Sequence, residues 1–260
     1  MYDLVIQVVN YKTKSYLLDC LANVFNDLKS SKLNYLVTVL DNNSGDDLSE
    51  LERLYSRKLT SYKSDTNLGF GGGHNLLAKK VQAKYLLLLN PDTKITEPRT
   101  IERLFDRLHY FKAQVIGPRL VTGSNNIQQR WDHGELRGIR AWTALNIGRS
   151  YWKERRESAN AAWVSGAVFL IDKNLFDRLG GFDENFFLYK EEEELCWRIR
   201  AEGGKIIYDP TISVFHHAGV SAKKEAHIGA STKYFIQKHF ENKASYRIAL
   251  ILSRFFPPQI

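Results

Sequence analysis

The sequence predicts an α/β protein whose central, mostly parallel sheet is flanked by helices. Residues 4–9, 35–40 and 85–89 are continuous apolar runs rather than alternating ones, the pattern of strands buried on both faces. Between the first two, Leu17, Leu18, Leu21, Val24, Phe25 and Leu28 recur at helical spacing, which predicts a crossover helix over 15–28. Each run stops abruptly at polar residues: Asn10-Tyr11, Asp41-Asn42-Asn43-Ser44 and Asn90-Pro91-Asp92-Thr93. In open α/β sheets, ligands bind at such carboxyl ends of strands.

The remaining elements follow in order. Asn67-Leu68-Gly69-Phe70-Gly71-Gly72-Gly73-His74-Asn75 precedes an expected helix over 76–81. Glycines ahead of a helix let backbone N–H groups approach an anion, although tight packing of loop on strand accounts for them equally well. The dinucleotide fingerprint needs glycine where His74 stands, and no Gly-Lys-Ser/Thr follows, so neither nucleotide motif is present. A carboxylate such as Asp92 at the end of the most apolar strand is well placed for a divalent ion, which typically takes one or two carboxylates plus substrate phosphates. Over 123–161 periodicity fades and Arg, Trp, Asn and Gly accumulate, as in Gln128-Gln129-Arg130-Trp131-Asp132-His133. That stretch is expected to be a mobile connection or lid. A strand over 162–172 contains Ser165-Gly166, where a glycine hints at close approach of backbone or ligand. A short helix over 175–179 and a turn at Gly180-Gly181-Phe182-Asp183-Glu184 lead to Glu191-Glu192-Glu193-Glu194. Four carboxylates between an aromatic run and Leu195-Cys196-Trp197 raise one another's pKa, which suits a general base near neutrality. An exposed acidic first helical turn is the plainer alternative. Residues 206–208 and 214–215 are strand-like and end in His216-His217, which could be packed or could supply an imidazole ligand.

Bulk properties narrow the partners. A chain of 260 residues with 43% hydrophobic and 25% charged residues should bury a sizeable core. The net charge of +8 points to anionic company: nucleotide phosphates, acidic lipid or nucleic acid. Cys20 and Cys196 stand far apart with no metal-type spacing, as expected in a reducing compartment. The start, Met1-Tyr2-Asp3, lacks the basic opening of a signal peptide, and no run approaches the roughly 20 apolar residues of a membrane span. A soluble or peripheral protein is expected. From Val220 onward there are seven Lys or Arg against two Glu, a net of +5. The helix expected from 231 to 256 would suit an anionic membrane surface, or would pack on the sheet or on a second copy.

In order along residues 4–221, these motifs make the sequence resemble glycosyltransferase family 2, and within it the bacterial rhamnosyltransferase-like enzymes of surface polysaccharide assembly. The matching residues are Val8-Val9-Asn10-Tyr11, Leu40-Asp41-Asn42-Asn43-Ser44, 67–75, Leu89-Asn90-Pro91-Asp92, Gly166-Ala167, 180–187, Glu191-Glu192, 195–198 and His216-His217. The resemblance implies a GT-A fold and inverting transfer from a nucleotide-diphospho-sugar, dTDP-rhamnose or a UDP-sugar, to an acceptor hydroxyl. It implies a catalytic domain over 1–221, with a nucleotide-sugar-binding half (1–120) and an acceptor and catalytic half (121–221), then a helical tail over 222–260. Asp92 would correspond to the last acid of the Asp-x-Asp metal motif, with Asn90 in place of the first, and Mg²⁺ or Mn²⁺ as the ion. Asp41 would hold the nucleobase and Asn10 would line the same pocket, with Asn67, Gly71, Asn75 and Gly166 also on the donor side. Glu192 falls where the family has its general base, with Glu191 the alternative. His216 matches the metal- or diphosphate-contacting histidine, and His217 is the fallback. The implied acceptor is a glycan or lipid-linked glycan, and the implied location is cytoplasmic, peripheral at the inner face of the membrane. A non-catalytic nucleotide-sugar or glycan binder would keep Asp41 and Asp92 but tolerate loss of Glu192. Nucleic-acid binding is disfavoured because the basic residues are spread along the chain.

Overall fold

The computed structural model describes every residue except 56, 124, 125, 218–223 and 258–260. The three apolar runs become β1 (Tyr2–Asn10), β2 (Tyr35–Asp41) and β4 (Ala83–Leu89), and β3 (Leu59–Lys63) lies at the sheet's edge. These four strands are parallel, joined by helices α1 (Lys14–Asp27), α2 (Ser49–Tyr55) and α3 (Gly69–Lys79). Beyond β4 the sheet becomes mixed. It continues through β10 (Val168–Asp172), antiparallel to both neighbours, then β6 (Val115–Thr122), β11 (Ile206–His216), β9 (Ala159–Val164) and β8 (His133–Glu135). Two short strands join off that path: β5 (Thr93–Lys94) on β11 and β7 (Ile127–Gln128) on β6.

Both faces are covered, which is why the central strands lack polar alternation. One face carries α1, α2 and α4 (Thr100–Tyr110) through Leu17, Leu21, Leu51, Ile101 and Leu104. The other carries α3, α6 (Lys173–Arg178) and α7 (Glu191–Ala201) through Ala78, Phe176, Leu195 and Ile199. Each fully buried Leu or Ile contributes roughly 1.5–3 kcal/mol of transfer free energy.

Several sequence expectations are corrected. The glycine-rich stretch is not a turn before a helix; it is the first half of α3. The single strand expected over 162–172 is two strands separated by a turn at Ser165-Gly166-Ala167, and the two short strands at 206–208 and 214–215 are one. Residues 123–161 are not a structureless connection, since they contain β7, β8 and α5 (Ile139–Asn146). Periodicity fades there because the interior is polar. Asp132, His133 and Glu135 are buried, with Asp132 accepting from His133, Trp152, Gln128 and Tyr208. The single tail helix is two, α8 (Lys224–His239) and α9 (Ala244–Leu252). Of the tail, Phe235 and Phe240 pack with Phe186. The proposed domain boundary after 221, and Ala218–Ser221 of the histidine motif, lie outside the described residues.

Candidate functional site

Strand register assembles the first part of the site. Asn10 of β1 pairs in register with Asp41 of β2, so both side chains stand together at the carboxyl edge. Asp41 Oδ1 accepts from the Ser44 backbone N–H at 3.0 Å and from Ser44 Oγ at 2.5 Å. Asn10 donates to Ser44 Oγ and to Asp46 Oδ2, at 3.2 and 2.9 Å, and accepts from Thr13 Oγ1 at 2.9 Å. Thr13 and Asp46 were not singled out in the sequence, where short polar side chains just after a strand were their only signal; Ser44 was named only as the last residue of the Asp41–Ser44 stop.

The second part lies one strand over. β4 ends at Leu89, and His217 N–H donates to the Asp92 carbonyl at 3.0 Å, while His216 pairs with Thr93. This pairing brings His216 Nε2 to 3.4 Å from both Asp92 Oδ1 and Asn90 Nδ2. Of the two histidines, His216 is the one that faces Asp92 and Asn90. The fallback, His217, is exposed and packs edge-on against Tyr16 and Phe215. Sequence reasoning missed Gln129, whose side chain meets His216 twice, at ring Nδ1 and at the backbone carbonyl.

Asn67, Gly71 and Asn75 serve the packing around this edge. Asn67 Oδ1 accepts from Asn42 Nδ2 and from the Gly69 N–H, at 3.0 and 2.9 Å. A Cβ on Gly71 would stand 2.8 Å from Phe182 Cβ, and one on Gly73 would stand 3.0 Å from Val9, so the glycines let α3 lie directly on β1 and the Phe182 turn. Asn75 clamps that turn, accepting from Phe182 N–H and donating to Phe182 O and Glu184 Oε1. His74 is a core histidine, hydrogen-bonded to Gln7 and flanked by Phe70 and Phe182; burial pushes its pKa down to about 3.

The acidic turn opens α7, entered through Tyr189 and Lys190, both left-handed at φ 68° and 73°. Such backbone is costly for non-glycine residues and is found where surroundings over-determine it. Helical rotation then divides the four carboxylates. Glu193 accepts from Lys190 Nζ and Ser150 Oγ. Glu194, fully buried, accepts from Arg198, Lys238 and His239. Burial alone would raise its pKa, but these donors hold it at about 2. Glu191 and Glu192 differ: the Oε2 atom of each is closed off from solvent and has no hydrogen-bond partner. Burial first, then the Glu192 charge, holds Glu191 well above the usual carboxylate range. Burial first, then the Glu193 charge, pushes Glu192 up to about 7. Glu191 is 3% exposed, whereas Glu192 is partly open and receives the Gly166 backbone N–H. Gly166 stands in the turn whose next carbonyl, that of Ala167, accepts from the Asn90 N–H at 2.9 Å. Glu192, Gly166, Asn90, Asp92 and His216 thus follow one another along a single edge.

Asp92 and His216 offer a carboxylate oxygen and an imidazole nitrogen at a separation that one divalent ion can share. Among the described residues no third His, Cys, Asp or Glu joins them. Two protein donors suit an ion whose shell is completed by water and substrate phosphates.

The family model described as "Glycosyl transferase family 2" matches residues 4–180. The N-acetylglucosaminyl-diphospho-decaprenol L-rhamnosyltransferase of Mycobacterium tuberculosis is 29% identical over 162 residues, covering 57% of this chain and 52% of that protein. Rhamnosyltransferase WbbL of Escherichia coli is 25% identical over 222 residues, covering 77% of this chain and 79% of that protein. The chain spans as little as 16% of other curated relatives it matches. Among solved structures, GalNAc-T7 with UDP, GalNAc and Mn²⁺ superposes with a TM-score of 0.73 at 16% identity, covering 98% of this chain and 50% of that one. The shared feature at that identity is the fold.

Proposed function

The chain belongs to glycosyl transferase family 2, and we propose that it is an inverting enzyme of surface polysaccharide assembly. In this role it moves a sugar from a nucleotide-diphospho-sugar to an acceptor hydroxyl. The observation that carries this reading is Glu192: a carboxylate with a pKa of about 7, unpaired at Oε2, on the same edge as Asn90, Asp92 and His216. A binding module gains nothing from a buried carboxylate oxygen left without a partner beside the donor site, whereas a raised pKa suits a general base working near neutrality.

Each residue then has a task. Asp41 and Asn10, held rigid by Ser44 and Thr13, bind the nucleoside at the ends of β1 and β2. Asp92 and His216 would hold Mg²⁺ or Mn²⁺, which when bound would supply positive charge against the departing diphosphate. Glu192 takes the proton of the acceptor hydroxyl as its oxygen attacks the anomeric carbon opposite the leaving group. The centre passes through an oxocarbenium-like state and inverts in one displacement, with no enzyme nucleophile.

The printed names of the two relatives support transfer of rhamnose, which favours dTDP-rhamnose over UDP-sugars among the donors that the resemblance implies, and the name of the mycobacterial relative supports a lipid-diphosphate glycan as acceptor. Such an acceptor lives at a membrane. No helix among the described residues is long and apolar enough to cross one, but α9 lies against α5, the two expose Ile139, Trp142, Ile248 and Ile251, and Phe255 just beyond α9 is exposed too. Exposed Arg140, Lys243, Arg247 and Arg254 accompany them, which suits contact with anionic lipid headgroups.

The test is transfer and donor hydrolysis across a panel of dTDP-, UDP- and GDP-sugars with Mg²⁺, Mn²⁺ or EDTA. Metal-dependent turnover with one donor class is expected. Failure of every nucleotide-sugar to bind would refute the transferase reading.

A further inference from the structure

Gln129 follows β7, and its backbone N–H is anchored to the Leu120 carbonyl at 2.8 Å. Its amide Nε2 lies 2.5 Å from the His216 carbonyl and its Oε1 lies 2.9 Å from His216 Nδ1. A backbone carbonyl only accepts, so the amide must turn its NH₂ group to it. That leaves Oε1, also only an acceptor, facing Nδ1, and Nδ1 must therefore carry a proton. In the neutral ring the lone pair is then on Nε2, toward Asp92 Oδ1 and Asn90 Nδ2, both at 3.4 Å. The Asn90 amide can donate to that lone pair; the Asp92 carboxylate cannot. Two acceptors face each other across 3.4 Å, an arrangement that favours a cation between them.

We propose that Gln129 is a positioning residue that locks His216 in the Nδ1–H tautomer, so that Nε2 is presented unprotonated toward Asp92. The lock is reinforced from behind. Gln128 donates to Asp132 Oδ2 and Tyr208 Oη at 3.0 and 2.7 Å, tying β7 to a buried network. The consequence for metal binding rests on the reading of Asp92 and His216 given above, while the tautomer itself does not.

The experiment is long-range ¹H–¹⁵N correlation of the histidine rings in the full chain at pH 8, with the His216 signals assigned by their loss in His216→Gln. The wild type should show a proton on Nδ1 and none on Nε2. Gln129→Leu should populate the Nε2–H form and weaken Mn²⁺ binding, followed by water-proton relaxation, by about 10–100-fold. Gln129→Glu retains an acceptor against Nδ1 and should keep the wild-type tautomer. A proton on Nε2 in the wild type overturns the proposal, as does an unchanged tautomer in Gln129→Leu. Should the tautomers behave as stated while His216→Gln binds Mn²⁺ like the wild type, the role of Gln129 stands and the metal assignment of His216 fails.

Discussion

Glu191 and Glu192 share one helical turn with Glu193 and Glu194, yet the two pairs occupy opposite surroundings. The second pair is saturated with donors: Lys190 and Ser150 on Glu193, and Arg198, Lys238 and His239 on Glu194. The first pair is turned toward α3 and the Gly166 turn, and each member retains a buried oxygen without a partner. Burying a polar atom unpaired costs about 1–3 kcal/mol, and proteins retain that cost chiefly where function requires it. One stretch of identical residues thus splits into a half that secures the tail and a half that holds a proton acceptor. Residue type did not make that division; the donors that reach Glu193 from Lys190 and Ser150, and Glu194 from α8 and Arg198, did.

The largest expected effect breaks the comparison at its functional member. Glu192→Gln should lower the transfer rate by about 10²–10⁴-fold, with the thermal transition of the fold retained. Comparing initial rates of Glu191→Gln and Glu192→Gln decides between the two acids, and a greater loss in Glu191→Gln would move the base to that residue. Glu194→Gln should do the reverse. It leaves Arg198 and Lys238 around a neutral amide, and breaking such a buried set costs about 3–5 kcal/mol. Urea unfolding measures it, and a loss under 1 kcal/mol would show that Glu194 is not an anchor.

That division was only half legible in the sequence. The crowding of four carboxylates beside Phe186 and Trp197 announced raised pKa values, and burial of Glu191 and Glu192 produces them. What the sequence could not show was that Lys238 and His239, more than forty residues away, would reach Glu194. The strand ends were readable for a physical reason: β1, β2 and β4 are buried on both faces, so their polar stops at Asn10, Asp41 and Asn90 stand out. Gly69, Gly71, Gly72 and Gly73 misled because helix propensity disfavours them by about 1 kcal/mol each, and contact with Phe182 and Val9 outweighs that. Gln129 was hidden for another reason: residues 123–161 build their interior from Asp132, His133 and Glu135, so the hydrophobic period on which sequence reading depends is absent there.

Acidity separates the two pairs next, and with opposite signs. Glu192 has a folded pKa of about 7 against an ordinary 4.5, so the folded state binds its proton more tightly. The stability this confers is fully present below pH 4.5 and is lost as pH rises through 7. Glu192→Gln should therefore be more stable than the wild type at pH 8, by on the order of 3 kcal/mol, and should lose this advantage at pH 4. Glu194, depressed to about 2, contributes stability above pH 4.5 that disappears as pH falls toward 2. Urea midpoints of both variants between pH 3 and 8 should thus diverge from wild type at high pH in opposite directions. Parallel curves would mean that the two acids share one environment.

The smallest effect tests whether the pairs are independent. Glu193 is both a paired acid and, after burial, the next cause of the raised pKa of Glu192. Wild-type kcat/KM should climb with pH about a midpoint near 7, as the base loses its proton. In Glu193→Gln the amide oxygen still accepts from Lys190 and Ser150, so the helix start is kept while one negative charge is removed. The midpoint should move down from about 7 yet stay above 4.5, because burial is the larger cause and is unchanged. At pH 6 the variant should then outpace the wild type by about two- to fivefold, and above pH 8 the two should converge. A pH profile identical to wild type would mean that Glu193 is screened from Glu192 and that burial alone sets the base. A midpoint that falls all the way to 4.5 would mean that charge, not burial, sets it.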